Sequence, residues 1–220
     1  MGRPIPPVMS VLERAIGLYG YVFHPITVLG VGSLLLIHRE WRDEGADRAA
    51  LGRRVGAFLG AGALALVPTA AFFVLFRGGL ARAVGGSSWR LDEVVATGVL
   101  IAAGVTWFVW RRYEWGPVVP GAMVTFATVT VPYALLAPVW DISGHVIYAL
   151  APTLYLALVD RRYAPLLVVP VLMVPTRVWV EAHTWAQSVA GFAVAAAITI
   201  GLYRVRTRSS DRQATGSTAS

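Results

Sequence analysis

The chain has 220 residues, 56% of them hydrophobic and 14% charged. Soluble domains carry about 25% charged and about 45–50% apolar residues, so a mean hydropathy of +0.62 points to lipid as the solvent. The 19 basic residues are all arginine and face 12 acids, for a net charge of +7, and cysteine is absent. Disorder, a collagen-like repeat and a disulfide scaffold are excluded, as are thiolate metal sites and cysteine nucleophiles. Nucleic-acid binding calls for a basic stripe on a soluble fold. Here the arginines fall in short segments between apolar blocks, which is the pattern of a topology signal.

A bilayer span takes about 20 apolar residues. In chain order the candidates are Ala15–Ile37, interrupted at His24; Val55–Phe76, free of charge; Val94–Trp110; Pro117–Trp140, with prolines at 117, 120, 132 and 138; Ile142–Val159; Ala164–Val180, carrying Arg177 and three prolines; and Ala182–Tyr203. The expected fold is therefore all-α, a polytopic membrane helical bundle of about seven transmembrane helices. Six is the alternative, if the first part of the proline-rich block is re-entrant or interfacial. Residues 1–203 form one transmembrane domain with a catalytic core at about 117–203, and 204–220 read as a disordered basic tail. The N-terminus matches neither a cleaved signal peptide nor a myristoylation site.

With seven spans, one face holds Arg39, Arg42, Arg48, Arg53, Arg54, Arg111, Arg112, Arg161, Arg162, Arg204, Arg206, Arg208 and Arg212, against Arg3, Arg14, Arg77, Arg82 and Arg90 on the other, a split of 13 to 5. The positive-inside rule makes the first face cytoplasmic and the C-terminus with it. The stretch His38–Arg54 reads as a solvated cytoplasmic loop. Arg177 is left over, inside a span. Intramembrane ionisable groups are functional candidates because burying them is costly.

Two arginine-free turns then share the extracytoplasmic face: Asp141-Ile-Ser-Gly-His145, and the segment from Thr176-Arg177 to His183-Thr-Trp-Ala-Gln187. Asp141 or Ser143 can cap the span that follows, leaving the amides near Ser143 and Gly144 free as an anion site. His183 and Gln187 lie one turn apart, so Gln187 is expected to orient the His183 ring. Arg177 is about 120° from His183 on an unbroken helix, so the two meet if the chain bends between them. Two histidines, an arginine fork and a helix N-terminus suit phosphoryl transfer: one imidazole attacks phosphorus, the other protonates the leaving oxygen, and the arginine holds charge. That chemistry requires no metal or cofactor. His24, mid-span, reads as a packed or hydrogen-bonded core histidine. Asp92 and Glu93 read as caps, Trp140, Trp179 and Trp185 as an aromatic belt, and Ser188, Gly191 and Ala195 as a close-packing face.

Ser-Gly-His at 143–145 and Thr-Arg-x5-His-x3-Gln at 176–187 resemble the second and third signatures of the type 2 phosphatidic acid phosphatase superfamily. Ile142, Thr176 and Gln187 stand where that family has proline, serine and aspartate, and its lysine and Arg-Pro signature is missing. The motifs are closer to the fat-storage-inducing transmembrane (FIT) family, which carries Asp-Ile-Ser-Gly-His and a His-x3-Gln-x-Val-x-Gly pattern matched by His183, Gln187, Val189 and Gly191. The resemblance covers roughly residues 140–205. It implies a membrane hydrolase cleaving a lipid phosphate, a lipid diphosphate or acyl-CoA. His183 is then the nucleophile, His145 the general acid, Gln187 the residue that orients His183, and Arg177, Ser143, Gly144 and Asp141 the substrate-binding set. Acyl-CoA would have to reach the active face, so lipid phosphate or diphosphate leads. The alternatives are a non-catalytic lipid-phosphate-binding or lipid-transport protein and a headgroup phosphotransferase.

Overall fold

A computed structural model describes residues 11–76 and 89–217 of the chain. Every regular element among them is helical: α1 (Val11–Val22), α2 (Pro25–Glu44), α3 (Arg48–Phe76), α4 (Trp89–Tyr113), α5 (Val118–Trp140), α6 (Gly144–Val159), a 3-10 turn (Arg161–Leu167), α7 (Val168–Trp179) and α8 (Trp185–Ser217). Arg77 and Arg82 lie outside the described residues.

The chain is an all-α membrane bundle. Arg48–Leu75, Leu91–Tyr113, Val118–Trp140 and Trp185–Arg208 are each long and apolar enough to cross a bilayer, and Ile16–Val22 with Pro25–Glu44, bent by 49°, makes a fifth. The proline-rich fourth block is one continuous helix, with Pro132 and Pro138 inside it. Two of the seven expected spans are shorter. α6 has 16 residues, about 24 Å at 1.5 Å per residue, against an apolar core of about 30 Å. α7 has 12 and is extended by the 3-10 turn before it.

Contacts between side chains give the directions of the helices. His24 packs on His145, and Gly32 on Pro152, so α2 runs parallel to α6. Ser143 N–H donates to the Gln187 carbonyl and Gly191 sits on Ile147, so α8 is also parallel to α6. Tyr133 lies over Gly144 and Thr130 meets Tyr148, so α5 is antiparallel to it. Val169 shares a buried cluster with Val28 and Ala149, and Arg177 at the other end of α7 lies near His145, which sets α7 antiparallel too. α6 is enclosed by these neighbours, and eleven of its 16 residues are buried. A helix walled by protein need not reach both membrane faces, which accounts for its length.

The far end of the bundle differs from the expected solvated loop at 38–54. α2 continues through that stretch to Glu44 and α3 starts at Arg48. Glu40 is only 3% exposed and Arg54 4%. The Glu40 carboxylate accepts from Trp110 Nε1 at 2.9 Å and from the Val118 amide at 2.5 Å, so an α2 side chain caps α5 and holds α4. Glu44 pairs with Arg54 beside it. A side chain at Gly116, at φ 106°, would strike both carboxylates. At the C-terminal side the helix continues past Tyr203, where a disordered tail was expected to begin, to Ser217. Tyr203 packs edge-on against Tyr155, and Arg206 donates to the Pro117 carbonyl at 2.7 Å.

Removing the Glu40 carboxylate strands two buried donors, each at a cost of about 1–3 kcal/mol. Thermal unfolding in detergent should show Glu40→Ala destabilised by about 2–4 kcal/mol and Glu40→Gln, which keeps one acceptor oxygen, by less. Equal unfolding temperatures for Glu40→Ala and the parent chain would remove the network from the list of stabilising contacts.

Candidate functional site

One end of the bundle gathers the starts of α2, α6 and α8 with the ends of α5 and α7. Helix N-termini carry unpaired amides and about half a positive charge each, so this end favours an anion. Among the described side chains, every arginine except Arg177 belongs to the opposite end.

The first motif folds around a sharp stop. α5 ends where Asp141 takes a left-handed conformation (φ 42°), its amide closing on Ala137 O. Aspartate tolerates that region better than most side chains. The chain then turns down to Ser143, the N-cap of α6, fully buried and without a side-chain capping bond. Gly144 has no space for a side chain, because an added Cβ would lie 2.7 Å from the Tyr133 ring. Tyr133 in turn lies within electrostatic reach of Asp92 at the start of α4. Asp92, expected as a plain cap, is therefore part of the wall behind Gly144. His145 follows on the first turn of α6, half-buried.

The second motif supplies the bend that the Arg177–His183 spacing demands. α7 ends at Trp179, Glu181 takes φ 55°, and the amides of Ala182 and His183 both return to the Arg177 carbonyl, at 3.1 and 3.2 Å. His183 is thereby folded back over the end of α7. Its side chain is 10% exposed, and Nδ1 lies 3.1 Å from the Asp141 carbonyl and 3.7 Å from an Asp141 carboxylate oxygen. A carbonyl can only accept, so Nδ1 carries the hydrogen and Nε2 is left as a bare lone pair.

Gln187 does not orient His183. Thr184 and Gln187 form a reciprocal cap at the start of α8: the Thr184 amide donates to Gln187 Oε1 (2.8 Å) and the Gln187 amide to Thr184 Oγ1 (3.3 Å). Gln187 Nε2 donates to the Trp140 carbonyl at 3.1 Å, tying α8 to the end of α5. Asp141, expected as a substrate contact, takes the orienting place behind His183.

His24, which reads from its place mid-block as a packed core histidine, belongs to this end instead. It stands at the break between α1 and α2 as the N-cap of α2, exposed, with Nδ1 accepting from the Ile26 amide at 3.3 Å. Its ring meets His145 edge to face at 5.5 Å between centroids. The Arg177 guanidinium lies within electrostatic range of His24, His145 and His183 and reaches over Gly20 of α1. The His24-Pro25 pair is the signal for it: a residue before proline tends to leave the helical region, so a histidine there sits at a break.

Three buried polar atoms at this end have no hydrogen-bond partner: Ser143 Oγ, Arg177 Nε and Ser188 Oγ. Ser188, Gly191 and Ala195 form the close-packing face expected of them, with an added Gly191 Cβ 3.0 Å from the Ser143 carbonyl. Among the described residues no group of three or more His, Asp or Glu is placed to hold a metal ion. An apolar groove of about 330 Å³ between α1 and α7 is lined by Ile16, Tyr19, Leu172, Pro175, Thr176 and Trp179. Trp140, Trp179 and Trp185 are exposed around the site. No family model matches the chain, and no curated protein or solved structure does either.

Burial holds the His183 imidazole below its ordinary value of 6.5, Arg177 pushes it the same way, and Asp141 opposes them. His183 is therefore neutral at neutral pH. Histidine-labelled NMR titration should show its midpoint falling further in Asp141→Asn and rising in Arg177→Gln, while Gln187→Ala costs about 1 kcal/mol of stability and leaves the midpoint in place.

Proposed function

We propose that the chain is a membrane-embedded phosphohydrolase acting on a lipid phosphate or diphosphate, with acyl-CoA as a further substrate option, through a histidine nucleophile. The observation that carries it is the meeting of His145, His183 and Arg177 at the starts of three parallel helices. The unpartnered Ser143 hydroxyl and Arg177 Nε–H support it, since buried donors need acceptors and phosphate oxygens supply them. The motif resemblance to phosphatidic acid phosphatases and the FIT family points the same way. The arginine distribution, under the positive-inside rule, supports a site on the extracytoplasmic face and a cytoplasmic C-terminus, and with them a lipid phosphate over acyl-CoA. The apolar groove beside Arg177 suits an acyl chain.

The mechanism follows from the hydrogen-bond pattern. His183 Nε2, its lone pair exposed because Nδ1–H is bound to the Asp141 carbonyl, attacks phosphorus. His145, in the imidazolium form that the negative charge of the bound phosphate stabilises, gives its proton to the leaving oxygen as the P–O bond breaks, forming a phosphohistidine and the free alcohol or phosphate. Water then attacks the phosphohistidine, giving a proton to His145 and releasing phosphate and neutral His183. Arg177 and the amides at Ser143 and Gly144 hold the charge that builds on the phosphoryl oxygens. Asp141 keeps the nucleophile in the correct tautomer.

A phosphate-release screen on purified chain over lipid phosphates, lipid diphosphates and acyl-CoA tests this. His183→Ala should abolish turnover, and His145→Ala should reduce it by about 10²- to 10⁴-fold. The acid limb of the pH profile should fall below pH 6.5, the ordinary histidine value, because the nucleophile is lost only when His183 is protonated. Full activity in both histidine variants would end the assignment. Phosphate-dependent binding without release would make the protein a lipid-phosphate carrier, and transfer only in the presence of an acceptor alcohol would make it a phosphotransferase.

A further inference from the structure

We infer that His24 is a third imidazole of this site and donates its Nε2–H to the bound phosphoryl group. The inference rests on the phosphohydrolase reading and adds a binding residue to it.

The position of His24 comes from the broken first span. α1 and α2 meet at 49°, and the turn between them lies against the start of α6, where the His24 ring meets His145 at 5.5 Å in an edge-to-face arrangement. The same break leaves the ring exposed at the mouth of the cluster and within range of the Arg177 charge. Its tautomer is set by the helix it caps. The Ile26 amide can only donate, so Nδ1 accepts and the neutral ring carries its hydrogen on Nε2. His183 has the opposite arrangement, with hydrogen on Nδ1 and a bare Nε2. The two rings therefore offer complementary groups: His183 a nucleophilic lone pair, His24 a hydrogen-bond donor. Nε2 of His24 has no partner among the described residues.

Capping alone does not explain a histidine here. Aspartate, asparagine, serine and threonine are the preferred N-caps, and the imidazole makes a long bond of 3.3 Å. A donor fixed by a helix N-terminus, next to an arginine and two further imidazoles, is what a phosphoryl oxygen requires. The start of α2 adds its own dipole in the same direction.

The test separates the cap from the donor. His24→Asn and His24→Ser keep an acceptor for the Ile26 amide, whereas His24→Ala removes it. Purified full-length variants are compared by thermal unfolding, by turnover on the lipid phosphate that the parent chain cleaves, and by binding of orthovanadate, which mimics the transferring phosphoryl group. The expected result is parent-like unfolding in Asn and Ser with kcat/KM reduced by about 10- to 100-fold and weakened vanadate binding. In the parent chain the His24 Nε2–H resonance should move downfield when vanadate is added, a readout that needs no variant. If the cap-preserving variants keep full kcat/KM, or the resonance is unmoved by vanadate, His24 is a cap only and the inference falls while the phosphohydrolase stands. If the parent chain neither releases phosphate nor binds vanadate, both fall together.

Discussion

The start of α6 has nowhere to go, and the arrangement of the site depends on that. Ser143 is held from one side by its amide bond to Gln187 O and by the close approach of Gly191 to its own carbonyl. Gly144 is held from the other by the Tyr133 ring, which lies within reach of Asp92. α6 is enclosed by α2, α5, α7 and α8 along most of its length. A rigid helix walled by neighbours puts His145 at one depth and one orientation. Everything else at that end is arranged around it: α2 brings His24 to its edge, α5 stops above it at Asp141, and α8 starts beside it.

Charge is sorted along the axis of the bundle. The arginines whose side chains are described, other than Arg177, lie at the far end, where the buried Glu40 accepts from Trp110 and the Val118 amide and the buried Arg54 pairs with the more exposed Glu44. A buried charge is held only with good geometry and satisfied partners, and the Glu40 carboxylate has two donors. The site end holds one described guanidinium, Arg177, with imidazoles, the Asp141 carboxylate and helix N-termini around it. The strained backbone at Asp141 and Glu181 sits in the two turns that carry the motifs, as strain at functional sites commonly does.

Much of this was readable from residue order. The apolar blocks mark where the helices run, and one complete pair of passes between the two polar turns puts them at the same end. The five residues between Arg177 and His183 require the bend that the Ala182 and His183 amides make. Three features were misread for identifiable reasons. The charges at 38–54 look solvated because composition does not reveal which of them another helix will cover; Trp110 and Val118, which cover Glu40, are about 70 positions away. Gln187 looked like a partner for His183 because the two are one turn apart, yet Thr184-x-x-Gln187 is also a capping-box pattern; the cap takes Oε1 and the Trp140 carbonyl takes Nε2. His24 looked like core packing because the first apolar block reads as unbroken apart from that residue. The proline after it is the mark of the break, and its partner His145 is far along the chain.

The depth of the site follows from helix lengths. α5 runs seven residues beyond Tyr133, about 10 Å, before stopping at Trp140, whereas Gly144 lies level with the Tyr133 ring. His145 therefore sits below a rim that carries the exposed Trp140, Trp179 and Trp185. On the proposed reading, a recessed position would strengthen interactions with a phosphoryl group, because fewer waters screen it, and would restrict the water that hydrolysis needs. The break at His24 leaves an exposed imidazole beside the half-buried His145, so the wet and dry parts of this end meet at the ring pair. The groove between α1 and α7 is lined by Thr176, the neighbour of Arg177, and otherwise by apolar and aromatic side chains, so on the proposed reading an apolar tail would lie against it while the polar group lay at the histidines.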